Sequence, residues 1–167
     1  MHRHLIAILR GITTDEAAAV CDALLSAGIS QIEIPLNSPD PMCTIEMMVK
    51  QYGADARIGA GTVLTCADVD MLAEIGAHMV ISPNMNPEVI ARTKQLGMMS
   101  CPGILTPTEG FAALAAGADM LKLFPADIVG PSGVKALRAV LPADVKLAAV
   151  GGVGPGKLSV WAEAGIT

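Results

Sequence analysis

The sequence contains few aromatic residues and no excess of positive charge. Phenylalanine, tryptophan and tyrosine together make up 2% of its 167 residues, and the formal net charge at pH 7 is −5. A nucleic-acid-binding surface needs basic patches and aromatic stacking platforms, so this composition argues against a nucleic-acid partner. A small-molecule partner is favoured. It can be anionic, because net charge governs steering and solubility rather than the chemistry of a local site.

Long apolar runs are also missing, although 52% of the residues are hydrophobic and the mean hydropathy is +0.53. Charge, glycine or proline interrupts every apolar stretch before it reaches the roughly 18 to 20 residues that a membrane-spanning helix needs. The short apolar segment after Met1-His2-Arg3-His4 meets Arg10 and does not resemble a signal peptide. We therefore expect no membrane association and a cytoplasmic location.

Cysteine clusters are absent as well. The four cysteines are dispersed, without a Cys-x-x-Cys pair or a Cys/His group, so their spacing predicts neither a zinc site nor a disulfide framework. They are Cys21, Cys43, Cys66 and Cys101. We expect ordinary buried thiols and no bound metal.

What the sequence does contain is an alternation of short apolar runs and helical patterns, repeated about every 20 to 25 residues as a βα unit requires. A chain of this length is most simply one domain, residues 1–167. The predicted strands are Leu5–Leu9, Gln31–Leu36, Arg57–Val63, Met79–Ser82, Met98–Pro102, Met120–Phe124 and Val145–Val150.

Capping and proline signals mark the starts of the predicted helices. These signals lie at Thr14–Glu16, Ser38–Asp40, Thr65–Asp68, Asn86–Glu88, Thr106–Glu109 and Gly130–Ser132. Five helices then end at a glycine, which is typical of the left-handed position after a helix. These glycines are Gly28, Gly76, Gly97, Gly117 and Gly165.

Near-continuous apolar strands predict a parallel sheet covered by helices. Two architectures meet this description, an open doubly wound sheet and a closed (β/α) barrel, and periodicity alone does not choose between them. Arg10-Gly11-Ile12-Thr13 follows the first strand in place of Gly-x-Gly-x-x-Gly, which removes the main support for a dinucleotide-binding fold. Polar residues at the ends of several strands favour an α/β fold of the TIM (β/α)8 barrel type.

Lys122 is unusual because it lies in the middle of an apolar strand, Met120–Phe124. Removal from water disfavours the charged form of lysine and lowers its pKa, which converts an inert cation into an amine that can attack a carbonyl. The alternative is a lysine whose ammonium reaches solvent at the strand end. The first interpretation predicts Schiff-base chemistry.

Alternation along the strands links Lys122 to a second residue, Glu33. In Gln31–Pro35 the isoleucines take one face and Glu33 the other, and in Met120–Phe124 the leucines take one face and Lys122 the other. If the aliphatic faces meet the helices, both polar side chains point into the barrel, from its second and sixth strands. The alternative is a buried ion pair retained for packing, but such pairs are costly and seldom improve on apolar residues.

Seven segments of the chain resemble the class I aldolases that cleave 2-keto-3-deoxy-6-phospho sugar acids. The resemblance runs in order along essentially the whole chain. The segments are Ile6–Gly11, Ile32–Ser38, Ile58–Leu64, Ile81–Asn84, Cys101–Gly103, Leu121–Pro125 and Val150–Val153. It implies a barrel fold, a homotrimer and a small phosphorylated keto acid as substrate.

The resemblance also implies roles for the polar residues. Lys122 would form an imine with the C2 ketone, and Glu33 would act as the general acid and base. A protonated imine is an electron sink for the carbanion left by C3–C4 cleavage, so no metal or cofactor is expected. Arg10 and Thr62 would surround the pyruvyl carboxylate, since the planar fork of arginine suits a carboxylate. Taken alone, Arg10 could equally be a surface residue.

Four further residues complete the implied substrate site. Pro83 and Phe124 would form walls of the pocket, although by sequence alone both would be assigned to the core. Gly151 and Gly152 would offer backbone amides to the phosphate after the seventh strand, where barrels often bind one. Without the resemblance, these two glycines would be read as a turn.

Two positions bear on the choice of substrate within the family. The branch that acts on the gluconate epimer usually carries arginine and threonine where this chain has Asn37 and Val150. The sequence therefore favours the galactonate epimer, with pyruvate and glyceraldehyde 3-phosphate as products. The alternative is the branch that acts on 2-dehydro-3-deoxy-6-phosphogluconate and 4-hydroxy-2-oxoglutarate.

The carboxyl-terminal residues Ala164–Thr167 occupy the place where an eighth strand would begin, and 167 residues is short of the roughly 200 that a full barrel needs. We therefore expect a barrel that stops before its eighth strand and lacks the last βα unit. A second hypothesis follows: a catalytically impaired barrel that self-associates through unpaired edges beside its first and seventh strands.

Overall fold

A computed structural model describes residues 4–167, in which strands and helices alternate. The strands are β1 (Ile6–Ile8), β2 (Gln31–Pro35), β3 (Arg57–Gly61), β4 (Met79–Ile81), β5 (Met99–Cys101), β6 (Gly103–Ile104), β7 (Leu121–Leu123) and β8 (Leu147–Ala149). The helices are α1 (Thr14–Ser26), α2 (Pro41–Tyr52), α3 (Cys66–Glu74), α4 (Pro87–Gln95), α5 (Pro107–Ala115), α6 (Ala126–Arg138) and α7 (Leu158–Ala164), with a 3-10 turn at Pro155–Lys157. Residues 1–3, which belong to the amino-terminal segment compared above with a signal peptide, lie outside the described residues.

All strand pairs are parallel, and neighbours in the sheet are neighbours in the chain. One ladder runs β1-β2-β3-β4-β5 and a second runs β6-β7-β8. A doubly wound sheet reverses its strand order at a switch point, and this sheet does not, within the part of the chain that is described. The strand order therefore confirms the barrel type of α/β fold.

Strands β5 and β6 share one position in the barrel, because only Pro102 separates them. Proline has no N–H to donate to a ladder, but its carbonyl accepts a hydrogen bond of 2.9 Å from the Lys122 amide. The Asp119 amide likewise donates to the Ser100 carbonyl, over 3.0 Å. The predicted strand Met98–Pro102 is thus the first part of a longer, interrupted strand, and β7 lies in the sixth position.

The described residues fill seven strand positions, and no ladder between β8 and β1 is found among them. The start of an eighth position is visible next to β8. There the Thr167 amide donates to the Leu147 carbonyl over 3.0 Å, and the Leu147 amide donates to the Thr167 hydroxyl over 3.0 Å. The arrangement agrees with the expected barrel open beside its first and last strands.

Local sequence signals explain most helix boundaries. Threonine capping boxes precede α1, α3 and α5, and Asn86 caps α4. All five predicted terminal glycines have positive φ, between 77° and 111°. The signal at Gly130–Ser132 lies inside α6: the helix begins at Ala126, and Gly130 (φ 66°, ψ 172°) interrupts it before Pro131, where a second helical segment starts. The Gly130-Pro131 pair resembles a helix start because it begins the second half of this kinked helix.

The aliphatic faces of the strands pack against the helices in two groups. Ile32 and Ile34 of β2 lie in a core with residues of α1 and α2, while Leu121 and Leu123 of β7 pack with residues of α5 and α6. All four are fully buried. Because alternate residues of a strand point to opposite faces, the residues between them face the inside of the barrel.

Candidate active site

Among residues 4–167, two charged side chains are buried, Glu33 on β2 and Lys122 on β7. Their relative exposures are 3% and 7%. Each lies between two fully buried aliphatic neighbours that pack against helices, so the alternation predicted from sequence is what brings both to the interior. Neither side chain forms a hydrogen bond or an ion pair within residues 4–167. A buried acid and a buried amine therefore share the interior without being locked to each other.

Burial perturbs both groups toward their neutral forms. It raises the pKa of Glu33, while the charges of Lys122 and Arg10 oppose that rise. Burial lowers the pKa of Lys122; the Glu33 carboxylate opposes the change and Arg10 adds to it. Such opposed perturbations bring an acid and an amine toward the same pH range, which suits them to exchange protons with a bound molecule.

Gly61 at the end of β3 makes room for the Glu33 carboxylate. A Cβ atom built at Gly61 would overlap Glu33 Oε2, so alanine cannot occupy this position unless the carboxylate moves. The sequence contains a signal for this requirement, because Gly59 and Gly61 are two positions apart and lie on the same face of β3. Sequence reasoning used the Gly-Ala-Gly-Thr segment only as a resemblance and missed that Gly61 positions the acid.

Phe124 lies two residues after Lys122 and on the same side of the strand. Its ring centroid is 5.0 Å from Lys122 Nζ, within the range of a cation–π contact. The predicted pocket wall is therefore in contact distance of the amine. Cys101 on β5 is also near, because the charges of Lys122 and Glu33 affect its thiol, whose pKa burial raises to about 12. Sequence reasoning had treated Cys101 only as a buried thiol.

Thr62 and Pro83 follow β3 and β4 at the same end of the barrel. Thr62 has φ 60°, a left-handed conformation that is uncommon for a β-branched residue. Pro83 approaches β6 so closely that a Cβ atom at Gly103 would overlap the Pro83 carbonyl. Both predicted residues therefore stand at carboxyl ends of strands, as the barrel requires.

Arg10 follows β1 and is held by the loop after β2. Its Nη1 donates a hydrogen bond of 2.6 Å to Asn37 Oδ1, and the next amide, Gly11 N–H, donates to Ser38 Oγ over 3.0 Å. Arg10 is exposed, yet its charge acts on both Glu33 and Lys122. The guanidinium therefore lies at the mouth of the interior.

Gly151 and Gly152 follow β8 and both have positive φ, 93° and 71°. Among the described residues, neither amide N–H donates a backbone hydrogen bond, whereas the Gly151 carbonyl accepts one of 3.2 Å from Asp127. A Cβ atom at Gly152 would meet the Asp127 side chain. The turn thus needs glycine, and it presents two amides that can receive an anion.

The predicted residues gather at the carboxyl-terminal end of the strands, whereas a cavity of about 930 Å³ opens at the other end. That cavity is lined by residues that precede or begin strands, including Arg57, His78 and Lys146. It contains no buried acid and amine, and barrels build their active sites at the carboxyl-terminal face. We therefore assign the candidate active site to the end that contains Glu33 and Lys122.

Within residues 4–167, no three histidine, cysteine, aspartate or glutamate side chains converge as a metal site would require. No helix of the described chain is both long and apolar enough to cross a bilayer.

Comparisons with known proteins agree with this geometry. The chain is 53% identical over 166 residues to a probable 2-dehydro-3-deoxy-6-phosphogalactonate aldolase of Rhizobium meliloti, which covers 99% of this chain and 78% of that protein. It is 52% identical over 161 residues to the 2-dehydro-3-deoxy-6-phosphogalactonate aldolase of Escherichia coli, covering 96% and 78%.

Solved structures give the same result. A native KDPGal structure matches with a TM-score of 0.95 and 49% identity, over 99% of this chain and 82% of that one. A cube-shaped protein cage, designed by fusing symmetric oligomeric domains, matches with a TM-score of 0.95 and 51% identity, over 97% and 60%. The family model for KDPG and KHG aldolases covers residues 1–166. This chain therefore belongs to the KDPG and KHG aldolase family.

Proposed function

We propose that this chain is a class I aldolase that cleaves 2-dehydro-3-deoxy-6-phosphogalactonate to pyruvate and D-glyceraldehyde 3-phosphate. The observation that carries the proposal is the pair of Lys122 and Glu33, both buried and unbonded inside one barrel. The galactonate epimer is supported by the names of the two relatives that are 52% and 53% identical. Asn37 and Val150 support the same epimer.

Lys122 is the nucleophile in this proposal. Its lowered pKa raises the fraction of neutral amine, whose lone pair attacks the C2 carbonyl to form a carbinolamine. Glu33, whose pKa is raised, donates a proton to the departing C2 hydroxyl, and water leaves. The product is a protonated imine between Lys122 and C2, and Glu33 is left as a carboxylate.

Glu33 then acts as the base. Its carboxylate accepts the proton of the C4 hydroxyl, the C3–C4 bond breaks, and the electron pair of that bond moves into the imine to give an enamine. Glyceraldehyde 3-phosphate leaves as the aldehyde. Protonation of the enamine at C3 and hydrolysis of the resulting imine release pyruvate and restore the Lys122 amine.

The remaining residues bind the two ends of the substrate. Arg10 and Thr62 hold the carboxylate, and Gly151 and Gly152 hold the phosphate through their amides. Pro83 and Phe124 form the walls around the reacting carbons. The contact of Phe124 with the Lys122 ammonium, at 5.0 Å, supports this assignment because the same ring would lie beside the protonated imine.

Domain number, oligomeric state and location belong to the same proposal. We propose one barrel domain over residues 1–167 that works as a homotrimer in the cytoplasm. The designed cage with symmetric oligomeric domains supports an oligomer, and four free cysteines are compatible with a reducing compartment. Sedimentation that showed only a monomer would contradict the trimer.

Borohydride reduction in the presence of pyruvate tests the central claim. Reduction of the imine should attach the pyruvyl carbon skeleton irreversibly to Lys122, and peptide mapping should find the adduct there. Lys122→Ala should abolish labelling, whereas Lys146→Ala, which removes an exposed lysine from the opposite end of the barrel, should leave it unchanged. An adduct mapped to Lys94, Lys135 or Lys157 would overturn the assignment.

A further inference from the structure

Two consecutive residues after β2 hold two consecutive residues after β1. Asn37 accepts a hydrogen bond of 2.6 Å from the Arg10 guanidinium, and Ser38 accepts one of 3.0 Å from the Gly11 amide. Ser38 is buried, and its own amide donates to the Pro35 carbonyl over 2.9 Å. The loop that carries Arg10 is therefore tied to the end of the strand that carries Glu33.

Arg10 needs such a support because nothing else in the described chain holds its side chain. It is exposed and takes part in no ion pair there. A free arginine samples many rotamers, and this freedom must be lost when it binds a carboxylate. A contact that fixes one guanidinium nitrogen before substrate arrives removes part of that loss.

The chemistry of Asn37 suits this task. The guanidinium has five N–H donors, and a single hydrogen bond to Asn37 leaves the others available. An amide oxygen is neutral, so it orients Arg10 without neutralising its charge. A carboxylate at the same place would form an ion pair with Arg10 and would repel an anionic substrate.

We propose that Asn37 is a positioning residue that, with Ser38 holding the loop, orients Arg10 toward the carboxylate of the keto acid. The inference rests on the proposed function, in which Arg10 binds that carboxylate. It assigns a role in substrate binding to Asn37, which the sequence analysis considered only as a position that differs between two branches of the family.

The test compares pyruvate with methyl pyruvate, which has the same ketone but no carboxylate, in borohydride trapping. Half-saturating concentrations should be measured for the unaltered protein and for Asn37→Ala, Asn37→Asp and Arg10→Ala. Asn37→Ala should raise the value for pyruvate about 10-fold, as expected for a weakened charge-assisted hydrogen bond. Asn37→Asp should raise it further, while the values for methyl pyruvate stay within about 2-fold.

A double variant separates positioning from a general structural effect. If Asn37 acts through Arg10, Arg10→Ala/Asn37→Ala should bind pyruvate no worse than Arg10→Ala alone. Equal losses for pyruvate and methyl pyruvate would overturn the inference, as would additive losses in the double variant. Thermal unfolding of each variant identifies any that fail to fold, and Asn37→Gln, which keeps the amide, supplies a second variant that should retain more affinity than Asn37→Ala.

The outcomes distinguish this inference from the proposed function. If Arg10→Ala binds pyruvate normally, Arg10 does not hold the carboxylate and the assigned role of Arg10 fails. If Arg10→Ala weakens pyruvate binding but neither Asn37→Ala nor Asn37→Asp does, only the positioning role of Asn37 fails. If Lys122→Ala is still labelled, the proposed imine itself is wrong.

Discussion

Charged residues at the two ends of the barrel differ in their burial and in their pairing. At the carboxyl-terminal end, Glu33 and Lys122 are buried, perturbed in pKa and not bonded to each other. At the amino-terminal end, Lys94 and Asp119 are about one-third exposed and form an ion pair of 2.7 Å. An ion pair near solvent keeps both of its groups ionised, whereas a buried acid and a buried amine without a partner have perturbed pKa values and can exchange protons with a bound molecule. This contrast supports placing the proposed active site at the carboxyl-terminal end.

The comparison predicts its largest effect at Glu33. Glu33→Gln keeps the shape of the side chain but cannot transfer protons, so kcat should fall about 10²–10⁴-fold. The matched change at the other end, Asp119→Asn, should alter kcat by less than about 2-fold. Steady-state cleavage, followed through the pyruvate released, measures both. Nearly full turnover by Glu33→Gln would make the buried acid a structural residue.

A smaller loss is expected at Gly61, which touches no substrate atom in the proposed mechanism. In Gly61→Ala the new methyl group displaces the Glu33 carboxylate, and misplacement by about 1 Å can cost on the order of 10²-fold in rate. Gly156→Ala is the control, because a Cβ atom there meets nothing within 4 Å. We expect kcat to fall for Gly61→Ala alone. Normal kcat in that variant would show that the carboxylate has room to move.

The pH dependence of imine trapping should shift in opposite directions in two variants. The neutral amine of Lys122 reacts, so trapping should rise with pH and level off above the pKa of Lys122. The Glu33 carboxylate raises that pKa and Arg10 lowers it. The inflection should therefore move to lower pH in Glu33→Gln and to higher pH in Arg10→Ala. Shifts in the same direction, measured at saturating pyruvate, would contradict the assigned electrostatics.

The smallest effect is expected at the amino-terminal end. Lys94→Ala removes a partly exposed ion pair, and such pairs contribute about 0.2–1 kcal/mol to the free energy of unfolding. The loss should shrink in high salt, because solvent ions screen exposed charges. Urea unfolding at two salt concentrations measures it, with kcat unchanged. A loss of several kcal/mol, or a loss of turnover, would mean that the two ends are not independent.

Residue alternation was sufficient to predict the interior pair. Two isoleucines around Glu33 and two leucines around Lys122 fix which side of each strand meets the helices, and this local pattern survives in the fold. The hydrogen bond between Arg10 and Asn37 could not be predicted in this way. It joins residues 27 positions apart, and only the packing of two loops brings them together.

A backbone feature could be predicted when it depends on the type of one residue. It could not be predicted when it depends on which other residues pack nearby. The five helix-terminal glycines follow from their own freedom at positive φ. The start of α6 does not, because Gly130 and Pro131 suit both a helix start and a kink within a longer helix. The role of Gly61 is likewise visible only once Glu33 has been placed beside it.

Thr62 connects the proposed substrate site with the stability of the fold. A β-branched residue at φ 60° carries a backbone cost on the order of 1–3 kcal/mol, which glycine at the same place would not. A selection for thermal resistance alone would therefore favour glycine at position 62, and with it the loss of a hydroxyl at the carboxylate end of the proposed substrate site. Thr62 therefore lowers the stability of the fold, so mutations chosen to stabilise this enzyme should leave position 62 unchanged.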